Sequence, residues 1–386
     1  MKKLIAIVVV LALVVVMLAA CTTTPAESSA PASSEAPASS AAPASSEAAS
    51  EAPASSAPAE SASAAAEVKQ PGSTGPETFA IIFKNTGNPY GEKLMEGFRV
   101  AVEDELGYTC IKKSPQNPTA EDQIAIINQL VSQKVSAIAI SANDADALQP
   151  ALTAAMDAGI KVLSYDSAVN PASRQVFINQ ADPDAIGRIL VESAYDMTGG
   201  SGQFAILSAT SQAANQNLWI EKMKKVLEDS KYANLELVKV AYGDDIRDKS
   251  VSETEGLLQA YPDLKCIVAP TTVGIAAAGK VLTDKGLQGK VALTGLGLPS
   301  EMADYITNGV CEYMYLWNPI DVGYLTGYTA LSIVKGETTG KAGDKLTAGK
   351  LGEKSVTDDG AGGTQILLGD PFKFDKSNID EWKSVY

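Results

Sequence analysis

Two doubly wound α/β lobes, each a parallel sheet flanked by helices and the pair joined by a multi-strand hinge, are the architecture this sequence predicts from residue 78 onward. Three observations carry the prediction. Short apolar runs alternate with amphipathic helical stretches, the rhythm of parallel strands with helices on both faces. That rhythm holds for too many strands to suit one sheet. Residues 176–180 follow residues 162–166 with no helix between them, as a chain crossing from one lobe to the other would do.

Taken in order, β-prone apolar runs of strand length lie at residues 79–83, 108–112, 137–141, 162–166, 176–180, 204–208, 235–240, 266–269, 291–296 and 311–317. The helical period predicts helices at 92–106, 120–133, 145–158, 217–227 and 249–260. Residues 78–180 with about 319–350 are assigned to the first lobe. Residues 181–318 with about 364–386 are assigned to the second lobe and the hinge return. A second interruption of the rhythm is expected near Trp317 and Pro319.

Ahead of the lobes, Met1-Lys2-Lys3 precedes an unbroken apolar run over residues 4–20, and then Cys21. A basic start, an apolar stretch and small residues before a cysteine form the pattern of a bacterial lipoprotein signal. Residues 1–20 are expected to be removed and Cys21 to carry lipid, which would hold the folded part outside the cytoplasm at the cell membrane. Residues 21–77 are read as lipidated cysteine plus tether. Up to Glu67 the tether is almost entirely Ala, Ser, Pro and Glu, with too little to bury to offset its ordering entropy, so disorder is expected there.

The formal charge of the chain is −15, and setting aside Lys2, Lys3 and the six glutamates of residues 22–67 leaves −11. That acidity argues against nucleic acid or an anionic lipid surface as partner. The chain has no histidine, which removes Ser-His-Asp, Cys-His and histidine–metal chemistry. Neither glycine-rich phosphate-loop pattern is present, and no cofactor or metal is expected. Cys110, Cys266 and Cys311 sit in apolar, strand-like contexts and read as buried small hydrophobes.

In open parallel sheets, ligands bind beyond the carboxyl ends of the strands. Lys84, Asn85 and Tyr90 follow the first strand, and Ser141 and Asn143 the third. Asp166 ends the fourth and Gln180 the crossover strand. Further on come Asn215, Gln216 and Trp219, then Thr271 and Thr272, Leu296, and finally Trp317 and Asn318. Amides both donate and accept, as sugar hydroxyls do. Aromatic faces suit the C–H face of a sugar ring. Asp166 has the strongest claim, because a carboxylate ending an apolar strand is costly without a partner. Asn88, Asn143, Asp144, Asn215 and the threonine pair could equally cap helices, and Trp317 could be hinge packing.

Several stretches then combine in order: Ser141-Ala142-Asn143-Asp144, Asn215-Gln216-Asn217, Ala269-Pro270-Thr271-Thr272-Val273-Gly274, Thr294-Gly295-Leu296-Gly297-Leu298-Pro299 and Leu316-Trp317-Asn318-Pro319. Through them the chain resembles the solute-binding proteins of sugar ABC importers, of the two-lobed ribose-binding type with the type I periplasmic-binding-protein fold, and within these the rhamnose-binding branch. The resemblance implies a non-enzymatic monomer that closes on a small sugar and delivers it to a permease and ATPase encoded elsewhere. It implies that Lys84, Asn85, Tyr90, Asn143, Asp166 and Gln180 line the first lobe, that Asn215, Gln216, Thr271 and Thr272 line the second, and that Trp317 and Asn318 sit at the hinge. The related autoinducer-2 receptors carry a lysine and an aspartate that Lys84 and Asp166 match. They have an Asp-Gln pair where this chain has Asn215-Gln216, and a Pro-x-Ala segment where it has Pro270-Thr271-Thr272. Those departures favour a rhamnose-like ligand, whereas Phe177-Ile178-Asn179-Gln180 leans toward the autoinducer receptors.

Other classes fit less well. A chemoreceptor presenting the same sugar differs only in its partner. A secreted carboxylate-dependent hydrolase lacks support without histidine or paired cleft acids. A sugar-responsive transcription regulator conflicts with the export signal and the acidic tether.

Overall fold

A computed structural model describes residues 77–386, all within one unit spanning Glu67–Tyr386. The expected signal at residues 1–20, the lipidation at Cys21 and the tether up to residue 76 lie outside the described residues.

β1 (Thr78–Ile82) is buried from Phe79 onward, as a central strand between two helical layers must be. It leads to α1 (Pro89–Arg99). Asn88 caps that helix by accepting from the N–H groups of Tyr90 and Gly91, and Pro89 takes the first position, where no N–H is missed. A π-helical stretch continues it to Glu105. Then come β2 (Thr109–Lys113), α2 (Ala120–Ser132), β3 (Ala137–Ile140), α3 (Ala145–Asp157), β4 (Lys161–Tyr165) and β5 (Val176–Asn179). The chain continues through α4 (Pro183–Met197), β6 (Gly202–Ser208), α5 (Ala214–Val226), β7 (Leu235–Tyr242), α6 (Arg247–Ala260), β8 (Leu264–Ala269), α7 (Thr272–Asp284), β9 (Ala292–Gly295), α8 (Pro299–Thr307) and β10 (Tyr313–Leu316). It ends with α9 (Pro319–Lys335), β11 (Lys345–Thr347), β12 (Glu353–Ser355), β13 (Thr357–Asp358), β14 (Thr364–Leu367), β15 (Phe372–Asp375) and α10 (Ile379–Trp382).

One sheet has the order β13-β14-β5-β4-β3-β1-β2, parallel throughout except for β13. The other has the order β7-β6-β8-β9, all parallel. β10 lies beside β9 through bridges at Leu293–Cys311 and Leu296–Tyr315, and pairs antiparallel with β15. Both sheets therefore place their first strand between the second and third, the doubly wound order. Side chains of β1 alternate between layers. Phe79 and Ile81 join the core formed with α1 and α9, while Ala80 and Ile82 join Ile127, Leu130, Leu148 and Leu152 from α2 and α3. Cys266 and Cys311 are buried free thiols; Cys110 is half-buried, and burial pushes its thiol and that of Cys266 up to about 12.

One boundary is corrected. The segment from about residue 364, expected with the second lobe and hinge return, begins in the first sheet, where β14 pairs with β5. An unpaired β5 would leave a buried strand edge open, and side chains fix β14 there. The Arg174 guanidinium, almost fully buried, donates to the Thr364 carbonyl at 2.6 Å and to the Asp359 carboxylate at 2.5 Å. Asn179 donates to Gln365 at 2.8 Å.

α9 carries the chain from β10 onto the face of α1. The two backbones touch: a Cβ on Gly323 would stand 1.8 Å from the Leu94 carbonyl oxygen, and one on Gly97 would stand 2.0 Å from that of Ile320. Only glycine permits that approach.

Candidate functional site

The carboxyl ends of both sheets meet around one cleft. Lys84 follows β1, Tyr90 opens α1, and Asp166 follows β4. Gln216 and Trp219 come from α5, Asp245 from the loop after β7, Pro270, Thr271 and Thr272 from the β8–α7 junction, Leu296 from the end of β9, and Leu316 and Trp317 from β10 and its exit.

Asp166 is the hub. Its φ is +58°, and the Ser167 N–H closes back on the Tyr165 carbonyl at 2.5 Å, a γ-turn that turns the carboxylate into the cleft. A non-glycine residue held in this region costs on the order of 1–3 kcal/mol, so the surroundings must impose it. They do: the Asp166 N–H donates to the Ile178 carbonyl at 3.2 Å, and Gln180 Nε2 donates to the Asp166 carbonyl at 3.0 Å. Ser141 Oγ donates to Oδ2 at 2.7 Å, the Tyr90 hydroxyl donates to Oδ1 at 3.2 Å, and Lys84 Nζ lies 3.7 Å from Oδ2. The Tyr90 oxygen in turn accepts from the Trp317 indole N–H at 2.6 Å. Burial first, and then the Asp166 charge, push the Tyr90 phenol well above its ordinary pKa, so it acts as a fixed donor.

From the second sheet's side, Asn215 Oδ1 accepts from Lys84 Nζ at 2.9 Å and Gln216 Oε1 at 3.5 Å. The Thr271 hydroxyl donates to the Asp245 carboxylate. Asp245 also holds a left-handed backbone, at φ +53°. Burial raises its carboxyl pKa, with the Asp166 and Asp244 charges adding; the Lys84 charge and the Thr271 hydroxyl oppose the rise.

Three buried amide atoms near the cleft have no hydrogen-bond partner in the protein: Asn85 Oδ1, Gln180 Oε1 and Asn215 Nδ2. Buried polar atoms are almost always paired. Of the three, Asn215 Nδ2 adjoins the cleft through Lys84 and leaves a donor open there.

The twelve residues that the resemblance assigns to the lobes and hinge divide in two. Lys84, Tyr90, Asp166, Gln216, Thr271, Thr272 and Trp317 line the cleft, and Asn215 adjoins it through Lys84. The others stand behind. Asn143 Nδ2 donates to the Lys84 carbonyl at 2.8 Å, fixing the lysine's backbone. Asn85 is buried, and Gln180 holds the Asp166 backbone. Asn318 is half-buried; it caps α9 through the N–H groups of Ile320 and Asp321 and donates to Asp321. Asn88 and Asp144 are caps as well. Thr271 stands at the cap position of α7, yet its hydroxyl goes to Asp245 and not to the helix.

Asp245 and Gln123 were not among the named residues. Gln123, fully buried on α2, donates to the carbonyls of Phe83 and Ser141 and accepts from the Asn143 N–H, tying the ends of β1 and β3 together. A polar residue on the apolar face of a helix was its only sequence signal. Among the described residues, no group of three His, Cys, Asp or Glu side chains is placed to hold a metal ion. No described helix is long and apolar enough to cross a membrane.

Two doubly wound sheets closing on one cleft of mixed polar and aromatic lining define a two-lobed ligand-binding protein. Residues 79–338 match the family model described as periplasmic binding protein domain, and the chain belongs to that family. A solved ABC transporter solute-binding protein from Clostridium phytofermentas, with bound L-rhamnose, is 53% identical with a TM-score of 0.79, covering 80% of this chain and 99% of that one. LsrB from Clostridium saccharobutylicum, in complex with AI-2, is 26% identical with a TM-score of 0.74, covering 79% of this chain and 99% of that one. The D-xylose-binding periplasmic protein of Haemophilus influenzae is 23% identical over 262 residues, covering 67% of this chain and 75% of that protein.

Proposed function

We propose that this protein captures a small neutral sugar, L-rhamnose, between its lobes and presents it to the permease of an ABC importer encoded elsewhere. The observation that carries the reading is the Asp166 carboxylate. It is held on a strained turn in the cleft and fixed by Ser141 and Tyr90, which supports a role in accepting from two ring hydroxyls. Similarity at 53% identity to an L-rhamnose-bound protein supports the choice of sugar. Lys84 and Asp166 contribute from the first lobe; Asn215, Gln216, Thr271 and Thr272 contribute from the second. Closure about the Trp317–Asn318 junction buries the ligand and aligns both sets. We read the chain as a monomeric binder with no reaction of its own, exported and lipid-anchored through Cys21.

A second reading keeps the mechanism and changes the ligand to autoinducer-2. Lys84 and Asp166, together with the 26% identity to LsrB, favour it. Calorimetry of the protein against L-rhamnose, autoinducer-2, ribose, xylose and glucose separates the two. The rhamnose reading expects tightest binding to L-rhamnose, and binding of autoinducer-2 alone would replace it. A gene neighbourhood encoding a permease and an ATPase, in place of a chemotaxis receptor, would fix the partner.

A further inference from the structure

The cleft has an apolar wall built from Leu296, Leu316 and Trp317, each no more than 4% exposed. The three are contiguous: Leu296 is bridged to Tyr315, the neighbour of Leu316, and Trp317 follows directly. Two of the donors on this wall are already engaged. The Trp317 indole N–H goes to the Tyr90 oxygen at 2.6 Å, and the Leu296 backbone N–H goes to the Ala269 carbonyl at 3.0 Å. What it offers a ligand is hydrocarbon.

We propose that this wall reads a methyl group, so that the protein selects a deoxy sugar over the counterpart carrying a hydroxymethyl group at the same position. The inference rests on the L-rhamnose reading above and adds the residues that would select its methyl group. A hydroxyl pressed against Leu296 and Leu316 gives up its water and finds no partner, whereas a methyl gains apolar burial. Apolar pockets discriminate against one added hydroxyl by roughly 10- to 100-fold.

L-Rhamnose and L-mannose differ only in the 6-hydroxyl, so they make the test pair. Both are titrated calorimetrically into the full chain and into Leu316→Thr and Leu296→Thr, which put a hydroxyl where the wall now has hydrocarbon. The wild type is expected to bind L-rhamnose at least about tenfold more tightly than L-mannose, and either folded variant is expected to narrow the gap several-fold. Equal affinities in the wild type would overturn the inference and leave the sugar-capture reading intact. Binding of neither sugar would overturn the L-rhamnose reading and the inference with it. An unchanged gap in both variants would overturn the assignment to this wall. Should Leu316→Thr fail to fold, Leu296→Thr, at the end of β9, carries the comparison.

Discussion

The Lys84 ammonium, projecting from the end of β1, donates to Asn215 Oδ1 on α5 at 2.9 Å and lies 3.7 Å from the Asp166 carboxylate. One buried cation thus connects the acidic hub of the first sheet to the amide pair of the second. Replacing it with methionine keeps the apolar stem and removes the charge-assisted bond. Lys84→Met should weaken sugar binding by at least about tenfold, or about 1.4 kcal/mol. It should also enlarge the radius of gyration of the ligand-free protein in small-angle scattering. Unchanged affinity would mean that the lysine only packs.

Tyr90 relays between Trp317 and Asp166. Tyr90→Phe leaves a buried indole N–H without an acceptor and takes a donor from the carboxylate. Thermal or urea unfolding should show a loss of about 1–3 kcal/mol, and sugar affinity should fall with it. Because the phenol titrates well above its ordinary range, binding should show no tyrosine step as the pH rises through the ordinary tyrosine value of about 10. A step assignable to Tyr90 would contradict the relay.

Arg174 and Asp359 form a buried pair that fastens β14 to the first sheet. Burial pushes the Asp359 carboxyl up, but the N–H groups of Ala361 and Gly363 and the Arg174 guanidinium pull harder, and the net pKa is lowered. The folded state therefore holds this proton less tightly than the unfolded state. The resulting stability is present in full above the ordinary carboxylate value and is lost as pH falls through the lowered one. Asp359→Ala strands the guanidinium and should cost about 3–5 kcal/mol at pH 7. Denaturant titrations at pH 7 and pH 3 should show the gap between wild type and variant closing on acidification. A gap independent of pH would sever the link to this carboxyl.

Most of this site could be read from the chain because its residues sit where strands end. Lys84, Asp166 and Thr271 each follow a continuous apolar run, and such runs end abruptly in sequence. Asp245 was hidden because β7 lies at a sheet edge. Most of its residues are half-buried or exposed, so its apolar run breaks off at Val240 while the strand continues to Tyr242, and the loop that carries Asp245 went unread. α7 gave no helical period because it is buried nearly all round, from Thr272 to Leu282. Asn318, an amide before a proline-initiated helix, caps α9. The placement of β14 depends on Arg174 meeting Asp359, 185 residues away, which no local pattern reveals.

The central claim is that a sugar is captured on the Asp166 carboxylate. Side-by-side calorimetry of the wild type and Asp166→Ala with L-rhamnose tests it most directly, with thermal unfolding to establish that the variant is folded. The account predicts single-site binding by the wild type and a loss of more than about 2 kcal/mol, roughly 30-fold, in the variant. Equal affinity in a folded Asp166→Ala protein would contradict it.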